Sequence, residues 1–413
     1  MHPDPSLVSP RLVTVLRSRL DAMTAQLSDL VSHESPSEDL ALLAACARRI
    51  AELGTELLGR APEPVEVQGR THLVWHLGAS PSPGVLVVGH YDTVWPAGTL
   101  ERWPFSVDDQ GRASGPGVFD MKGGIVQLFH ALSVLGLGEP PGDCGGGPGS
   151  VDHAAVTVVL TADEELGSQT SRRLIEDLCL KATAALVLEP SLGGVLKVAR
   201  KGTSMYEVHA LGRSAHAGLE PEKGVNATVE LAHQILAVSG LGNPGVGTTV
   251  TPTVMAGGTT TNTVPAEAVL HVDVRAETRA EQERIDVALR GLVPVLTGST
   301  LRVEGGINRP PFHVSASEPL MTRATQVAER LDLGPLSGAA VGGGSDGNFT
   351  AGMGLPTLDG LGADGAGAHA EGEFTRLAAM PERAALLAGL VVDLLSDADG
   401  TAESGPGASA LPA

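Results

Sequence analysis

The stretch AAVTVVLTADEELGSQTSRRLIEDLC, residues 154–179, runs from an apolar, largely β-branched segment through three consecutive acids into a helical pattern. A continuous apolar run of this kind has the composition of a strand buried on both faces, and SQTSRRLIEDLC repeats its apolar residues at helical spacing. A buried strand feeding a helix is the repeating unit of a parallel sheet covered on both sides. The same signature recurs on either flank. GVLVVG (84–89) and AALVLE (184–189) read as buried strands, and MKGGIVQLFHALSVLG (121–136) reads as a helix. Residues 11–58 read as helix with a break and restart at SHESPSED.

Near residue 200 the pattern changes. TSMYEVHAL (203–211) alternates with period two, as a strand with one exposed face does. A helix at 226–239, two strands at GTTVTPTVMAGG and EAVLHVDVRA, a helix at 279–293 and a strand at 300–306 complete the order β-α-β-β-α-β, the ferredoxin-like arrangement. After NRPPF the first style returns, with a helix around 317–331, a strand at LPTLDG and a last helix at 380–396. The predicted fold class is α/β, a mostly parallel sheet flanked by helices, with an inserted ferredoxin-like α+β domain. The expected parts are 1–199 and 313–396 for the larger domain, 200–312 for the insertion and 397–413 for a disordered tail. GEPPGDCGGGPGSVDH (138–153) reads as a flexible surface loop.

Bulk properties narrow the function. The chain has 413 residues, enough for two domains. Its formal charge of −20 argues against nucleic acid or an anionic membrane as the main partner. No apolar run reaches the ~18–20 residues of a membrane span. The first residues lack a basic segment followed by an apolar one, so no signal peptide is read. Three cysteines without metal-ligand spacing make a reduced, cytoplasmic setting the expectation.

In open parallel sheets, ligands bind at the carboxyl ends of the strands. His90, Tyr91 and Asp92 follow one predicted strand, Asp163, Glu164 and Glu165 a second, and Glu189 a third. Asp120 sits where a loop enters a helix, and His369 follows the last predicted strand. Imidazole and carboxylate together suit zinc or a similar first-row ion. Asp120, Glu165 and Glu189 with His90 and His369 carry three negative charges, too many for one divalent ion in a buried cleft but suited to two. Two ions ~3.5–4 Å apart can activate a water and polarise a carbonyl together. Asp92 is placed to fix the tautomer of His90, and Glu164 to act as general base. Each signal alone has a bland explanation: a polar pair, a solvated turn, or a helix N-cap at Asp120. Their coincidence in one chain favours a site. Asp163 has no role in this reading, and the remaining histidines, His130 and His209 among them, are read as structural.

The motifs GHYDTV, GPGVFDMKGG, TADEELGS, LEP, GRSAHAG, GGTTTNTVP, DVR, RPPF, GGGSDG and GAHAEGEF occur in an order that resembles the co-catalytic zinc exopeptidases. That family includes glutamate carboxypeptidase (carboxypeptidase G), acetylornithine deacetylase, succinyl-diaminopimelate desuccinylase and aminoacylase. The resemblance spans roughly residues 20–395. It implies two Zn2+, with Co2+ or Mn2+ as alternatives, held by His90, Asp120, Glu165, Glu189 and His369. Asp120 would bridge, with His90 and Glu189 on one metal and Glu165 and His369 on the other. It implies Glu164 as base, Asp92 as the histidine-orienting acid, and a cis peptide after Asp120. The inserted domain would be a lid through which a homodimer forms. His216 would stabilise the oxyanion, Asn262 would be a second lid contact, and Arg275 and Arg309 would bind the substrate carboxylate. The backbone of GGGSDG (342–347), including Gly344 and Ser345, would line the same pocket.

The expected reaction is hydrolysis of an amide next to a free carboxylate in a small peptide or N-acyl amino acid. A C-terminal glutamate is the first choice within the resemblance, and deacylation of an N-acyl amino acid is the alternative. A nucleotide-binding protein is disfavoured, because no glycine loop carries the Lys-Ser/Thr pair of a phosphate loop. A catalytically silent relative would have lost a ligand or the base, and here each of those positions is filled.

Overall fold

In the computed structural model, which describes residues 4–80, 83–137 and 154–400, the N-terminal segment forms three helices. They are α1 (Pro10–Arg17), α2 (Leu20–Ser32) and α3 (Leu40–Leu58). Asp39 caps α3 by accepting the Ala41 and Leu42 N–H groups at 3.0 Å, and Gly59, at φ 69°, ends it. Then come β1 (Glu63–Val67), β2 (Arg70–Leu77) and β3 (Gly84–His90). Helix α4 (Gly123–Ser133), β4 (Val156–Thr161), α5 (Arg172–Cys179) and β5 (Ala182–Val187) follow. The expected loop at 138–153 lies outside the described residues.

The chain folds as two compact units, and the second comprises Ala199–His313 with Val341–Gly344. It contains β6 (Gly202–Leu211), α6 (Ala227–Ser239), β7 (Thr249–Gly257), β8 (Glu267–Ala276), α7 (Arg279–Arg290) and β9 (Thr300–Arg309). The sheet order is β7-β8-β6-β9 with every pair antiparallel, the ferredoxin-like order. Alternate residues of the strands, Tyr206, Val208 and Ala210 of β6 and Leu270, Val272 and Val274 of β8, join Leu231, Ile285 and Leu289 in one core. Buried Glu230 is satisfied by the Val295 and Leu296 N–H groups and the Ser299 hydroxyl.

The first unit resumes with α8 (Glu318–Leu331), β10 (Thr357–Leu358) and α9 (Met380–Gly400). Its sheet order is β1-β2-β4-β3-β5-β10. The β4, β3, β5 and β10 neighbours are parallel, while β1 and β2 form an antiparallel hairpin on one edge. The hairpin is absent from the sequence reading: β1 is largely exposed, and His72 and His76 interrupt the apolar run of β2. Helix α9 continues to Gly400, so residues 397–400 of the expected tail are helical; residues 401–413 lie outside the described residues.

The parallel strands β3, β4 and β5 are largely buried on both faces, as their continuous apolar runs require. Along β3, Val85 and Val87 pack with the helices α1 to α4, α8 and α9, while Leu86 and Val88 pack on the other side with Ile175, Leu178 and Phe349. With few aromatics, Val, Leu and Ala fill most of both layers; Trp75 and Phe129 meet edge to face at 5.5 Å. Gly84 is required at the start of β3, since a Cβ there would sit 2.2 Å from the Ala155 carbonyl oxygen. No described helix is long and apolar enough to cross a membrane.

One buried histidine gives the core a pH dependence. On α4, His130 is 2% exposed, its Nε2 is 2.7 Å from Gln26 Oε1, and its Nδ1 has no partner among the described residues. Burial, with the nearby Arg19 guanidinium, pushes its pKa down to about 4. A base depressed on folding contributes stability above its unfolded pKa, and that stability is lost as pH falls toward the folded value. Between pH 7 and pH 5 the wild type should lose on the order of 2 kcal/mol more than His130→Gln. Urea unfolding of both at the two pH values measures the difference.

Candidate active site

Adjacent parallel strands bring their carboxyl ends to one edge of the first unit. His90 is the last residue of β3, and Asp92 follows two residues later. Beyond β4, Glu164–Leu166 form a single 3-10 turn closed by Gly167 at φ 86°. Glu189 lies two residues past β5. Asp120 sits in a widened turn with non-helical backbone, the peptide after it is cis, and its side chain does not cap α4. His369 adopts φ 63° in the loop between β10 and α9.

These side chains converge in a particular pattern. Asp120 Oδ1 is 3.2 Å from His90 Nε2, and Glu189 Oε1 is 3.6 Å from the same nitrogen. Asp120 Oδ2 is 3.5 Å from His369 Nε2, which lies 3.1 Å from Glu165 Oε2. The one carboxylate thus turns a different oxygen toward each imidazole, and each imidazole has a second carboxylate of its own. Zinc bonds of ~2.0–2.2 Å in tetrahedral geometry place donor atoms roughly 3.3–3.6 Å apart, close to the 3.1–3.6 Å found here. His90, Asp120 and Glu165 offer ligand atoms within 4.8 Å of one another, and so do His90, Glu164 and Glu189. The donor set therefore fits divalent metal, and its two halves share Asp120.

The field of these acids is strong. Burial by itself would lower the pKa of His90, but Asp120, Asp92 and Glu189 raise it well above the ordinary value. Hydrogen bonds with Asp120 and Glu165 push His369 up to about 11. Burial raises Glu165, with His369 partly offsetting it. A further cation, missed in the sequence, is Lys197, whose Nζ lies 3.7 Å from Glu189 Oε2.

Asp92 does more than face His90. Its backbone oxygen is 3.0 Å from His90 Nδ1 and its carboxylate 3.4 Å away. The carboxylate also accepts the Glu164 N–H at 3.1 Å, the Glu165 N–H at 3.2 Å and the Ser37 hydroxyl at 2.8 Å. One buried acid thereby fixes an imidazole and the glutamate pair. The third acid now has a structural explanation. Asp163 Oδ2 accepts the Thr170 N–H at 2.6 Å and its hydroxyl at 2.8 Å, locking the turn that presents Glu164 and Glu165. Asp346 ties the same turn to the strand end through Ser168 and Thr161. Glu373, also missed, is fully buried, and burial pushes its pKa up to about 7.

The other candidates divide between the units. Ser345 belongs to the first, where its N–H donates to Asn348 Oδ1 and its hydroxyl to Asp359 Oδ2, so both polar groups already have partners. Gly344, His216, Asn262, Arg275 and Arg309 belong to the second. There Ala215–His216 pairs with Thr263–Val264, which makes the exposed His216 and Asn262 neighbours on a short ribbon. Arg275 makes a bidentate pair with Asp273, and Arg309 is buried. Glu207, His209 and Glu304 form another group with ligand atoms within 4.8 Å, but its two carboxylates are 42% and 47% exposed, where water solvates them.

Residues 86–393 match the family described as peptidase family M20/M25/M40. Carboxypeptidase G2 of Pseudomonas sp. (strain RS-16) is 32% identical over 321 residues, 75% of this chain and 74% of that protein. The succinyl-diaminopimelate desuccinylase of Legionella pneumophila (strain Lens) is 26% identical over 318 residues, 71% of this chain and 79% of that protein. Among solved structures, the M20 family metallo-carboxypeptidase Sso-CP2 from Sulfolobus solfataricus superposes with a TM-score of 0.68 at 16% identity, covering 90% of this chain and 99% of the other.

Proposed function

This chain belongs to peptidase family M20/M25/M40, and we propose that within that family it is a di-zinc exopeptidase that removes a C-terminal glutamate or a related acyl-linked amino acid. The observation that carries this reading is the position of Asp120, one oxygen toward His90 and the other toward His369. We assign His90, Asp120 and Glu189 to one ion and His369, Asp120 and Glu165 to the other. When bound, the ions supply Lewis acidity that polarises the scissile carbonyl and makes a water a better nucleophile.

The chain's own groups do the rest. Glu164, held by its N–H on Asp92, takes the proton of the attacking water and returns it to the leaving nitrogen. Asp92 keeps His90 oriented with Nε2 toward the cluster. His216 and Asn262 are assigned to the oxyanion, and Arg309 and Arg275 to the substrate carboxylate, since guanidinium pairs bidentately with carboxylate. Arg275 would have to exchange Asp273 for substrate. A homodimer through the second unit is part of the same reading. Its edge strand β7 leaves Val254 and Met255 more than half exposed, and light scattering would read the mass.

A screen of N-acyl glutamates, other N-acyl amino acids and dipeptides with zinc, cobalt and manganese tests the proposal. Turnover of N-acyl glutamates should exceed that of their carboxamide-blocked counterparts by about 10-fold or more in kcat/KM. Equal rates on blocked and free substrates would refute recognition of the carboxylate. A preference for short N-acyl groups on other amino acids would favour the deacylase alternative.

A further inference from the structure

We infer that Glu373 is a positioning residue for the metal cluster: its buried side chain and backbone join the three segments that carry His90, Asp120 and His369. Oε1 accepts the Phe119 N–H at 3.1 Å, one residue before Asp120. Oε2 accepts the Trp95 Nε1–H at 3.1 Å, in the segment that leaves β3 after His90 and Asp92. The Glu373 N–H donates to the Ala370 oxygen at 3.0 Å, which closes the turn that begins at Ala370, the residue after His369. Its own carbonyl accepts the Ser114 hydroxyl at 2.9 Å, and Ser114 in turn accepts the Trp103 Nε1–H at 3.1 Å. Trp103 packs edge to face on Trp95 at 4.9 Å, so the network closes on itself. The loop is tight: a Cβ on Gly367 would sit 2.9 Å from the Glu373 Cα.

Packing alone does not account for a carboxylate here. The group is 0% exposed, and burying an anion costs several kcal/mol that two neutral N–H donors only partly offset. What an anion offers is two acceptor oxygens for two donors that arrive from different segments. Glutamine cannot replace it, because its amide NH2 would face one of those donors. The inference rests on reading the cluster as a metal centre, and it adds that the distance between the two halves is set through Glu373. Outer groups of this kind change metal affinity by about 10–100-fold.

Zinc affinity, read by competition with a chromophoric chelator, and the melting temperature of the metal-free chain test this in Glu373→Gln. Affinity should fall about 10–100-fold while the metal-free melting temperature stays level or rises, because a buried charge has been removed. Trp95→Phe, which keeps the carboxylate and removes one donor, should show a smaller loss. Adding Glu373→Gln to Trp95→Phe should cost less than it does in the wild type, since the glutamine oxygen then serves Phe119 alone. Affinity within about threefold of wild type in Glu373→Gln, or a lower metal-free melting temperature with unchanged affinity, would leave Glu373 as a structural residue only and overturn the inference. If Glu373→Gln does not fold, Trp95→Phe decides, and unchanged affinity there overturns it. A wild type that binds no zinc would overturn the metal-centre reading itself, a different result from normal binding in both variants.

Discussion

Glu164→Gln is expected to lower kcat by about 10²–10⁴-fold while the chain retains two zinc ions. Glu164 and Glu165 are adjacent, yet the turn that holds them gives them different surroundings. Glu165 Oε2 lies 3.1 Å from His369 Nε2, in the half of the cluster that uses Asp120 Oδ2. Glu164 offers its carboxylate near His90 and Glu189 instead, while its backbone is held by Asp92. Glutamine has the same shape and cannot accept a proton, so the variant separates proton transfer from metal binding. Steady-state kinetics with metal analysis on the same sample reads both. Loss of a metal ion in Glu164→Gln would mean that the base and the ligand had been exchanged in the assignment.

Asp120→Asn is expected to reduce bound zinc to one ion or fewer per chain and to lower kcat/KM by about 10³-fold or more. Asp120 serves both imidazoles with separate oxygens, at 3.2 and 3.5 Å. Asparagine has one carbonyl oxygen, and its NH2 would turn a donor toward one half of the cluster. The variant also removes one of three negative charges. Glu189→Gln alters one half alone and should keep one ion bound. Inductively coupled plasma mass spectrometry after dialysis reads both; an Asp120→Asn chain that keeps two zinc ions would contradict a bridging Asp120.

Much of the cluster was legible before the fold was known because its residues follow local signals. A buried strand shows itself as an apolar run, and the polar residues that follow it mark the edge where ligands gather. That rule finds His90, Asp92, Glu164, Glu165 and Glu189. Asp120 and His369 stand in loops, at a widened turn and a left-handed residue, and their places at a helix entry and after the last predicted strand mark them as candidates. The β1–β2 hairpin escaped because exposed β1 and histidine-interrupted β2 have neither period two nor a clean apolar run. Asp163 was unexplained because its role is a hydrogen bond to Thr170 across a turn whose shape the sequence does not display. Glu373 is harder still. Its partners Phe119 and Trp95 are more than 250 residues away in sequence, and only the folded chain brings them together. Ser345 shows the opposite case: its motif suggested substrate contact, while the fold engages both of its polar groups inside the unit.

The most direct test of a shared two-metal centre is a zinc titration of the metal-stripped chain, with bound metal and hydrolysis of an N-acyl glutamate read at each point. The account predicts that activity is absent at the start, rises with zinc and reaches its plateau at two ions per chain, and that a chelator reverses it. Hydrolysis that is indifferent to the chelator, or a plateau reached with a single ion bound, would contradict it.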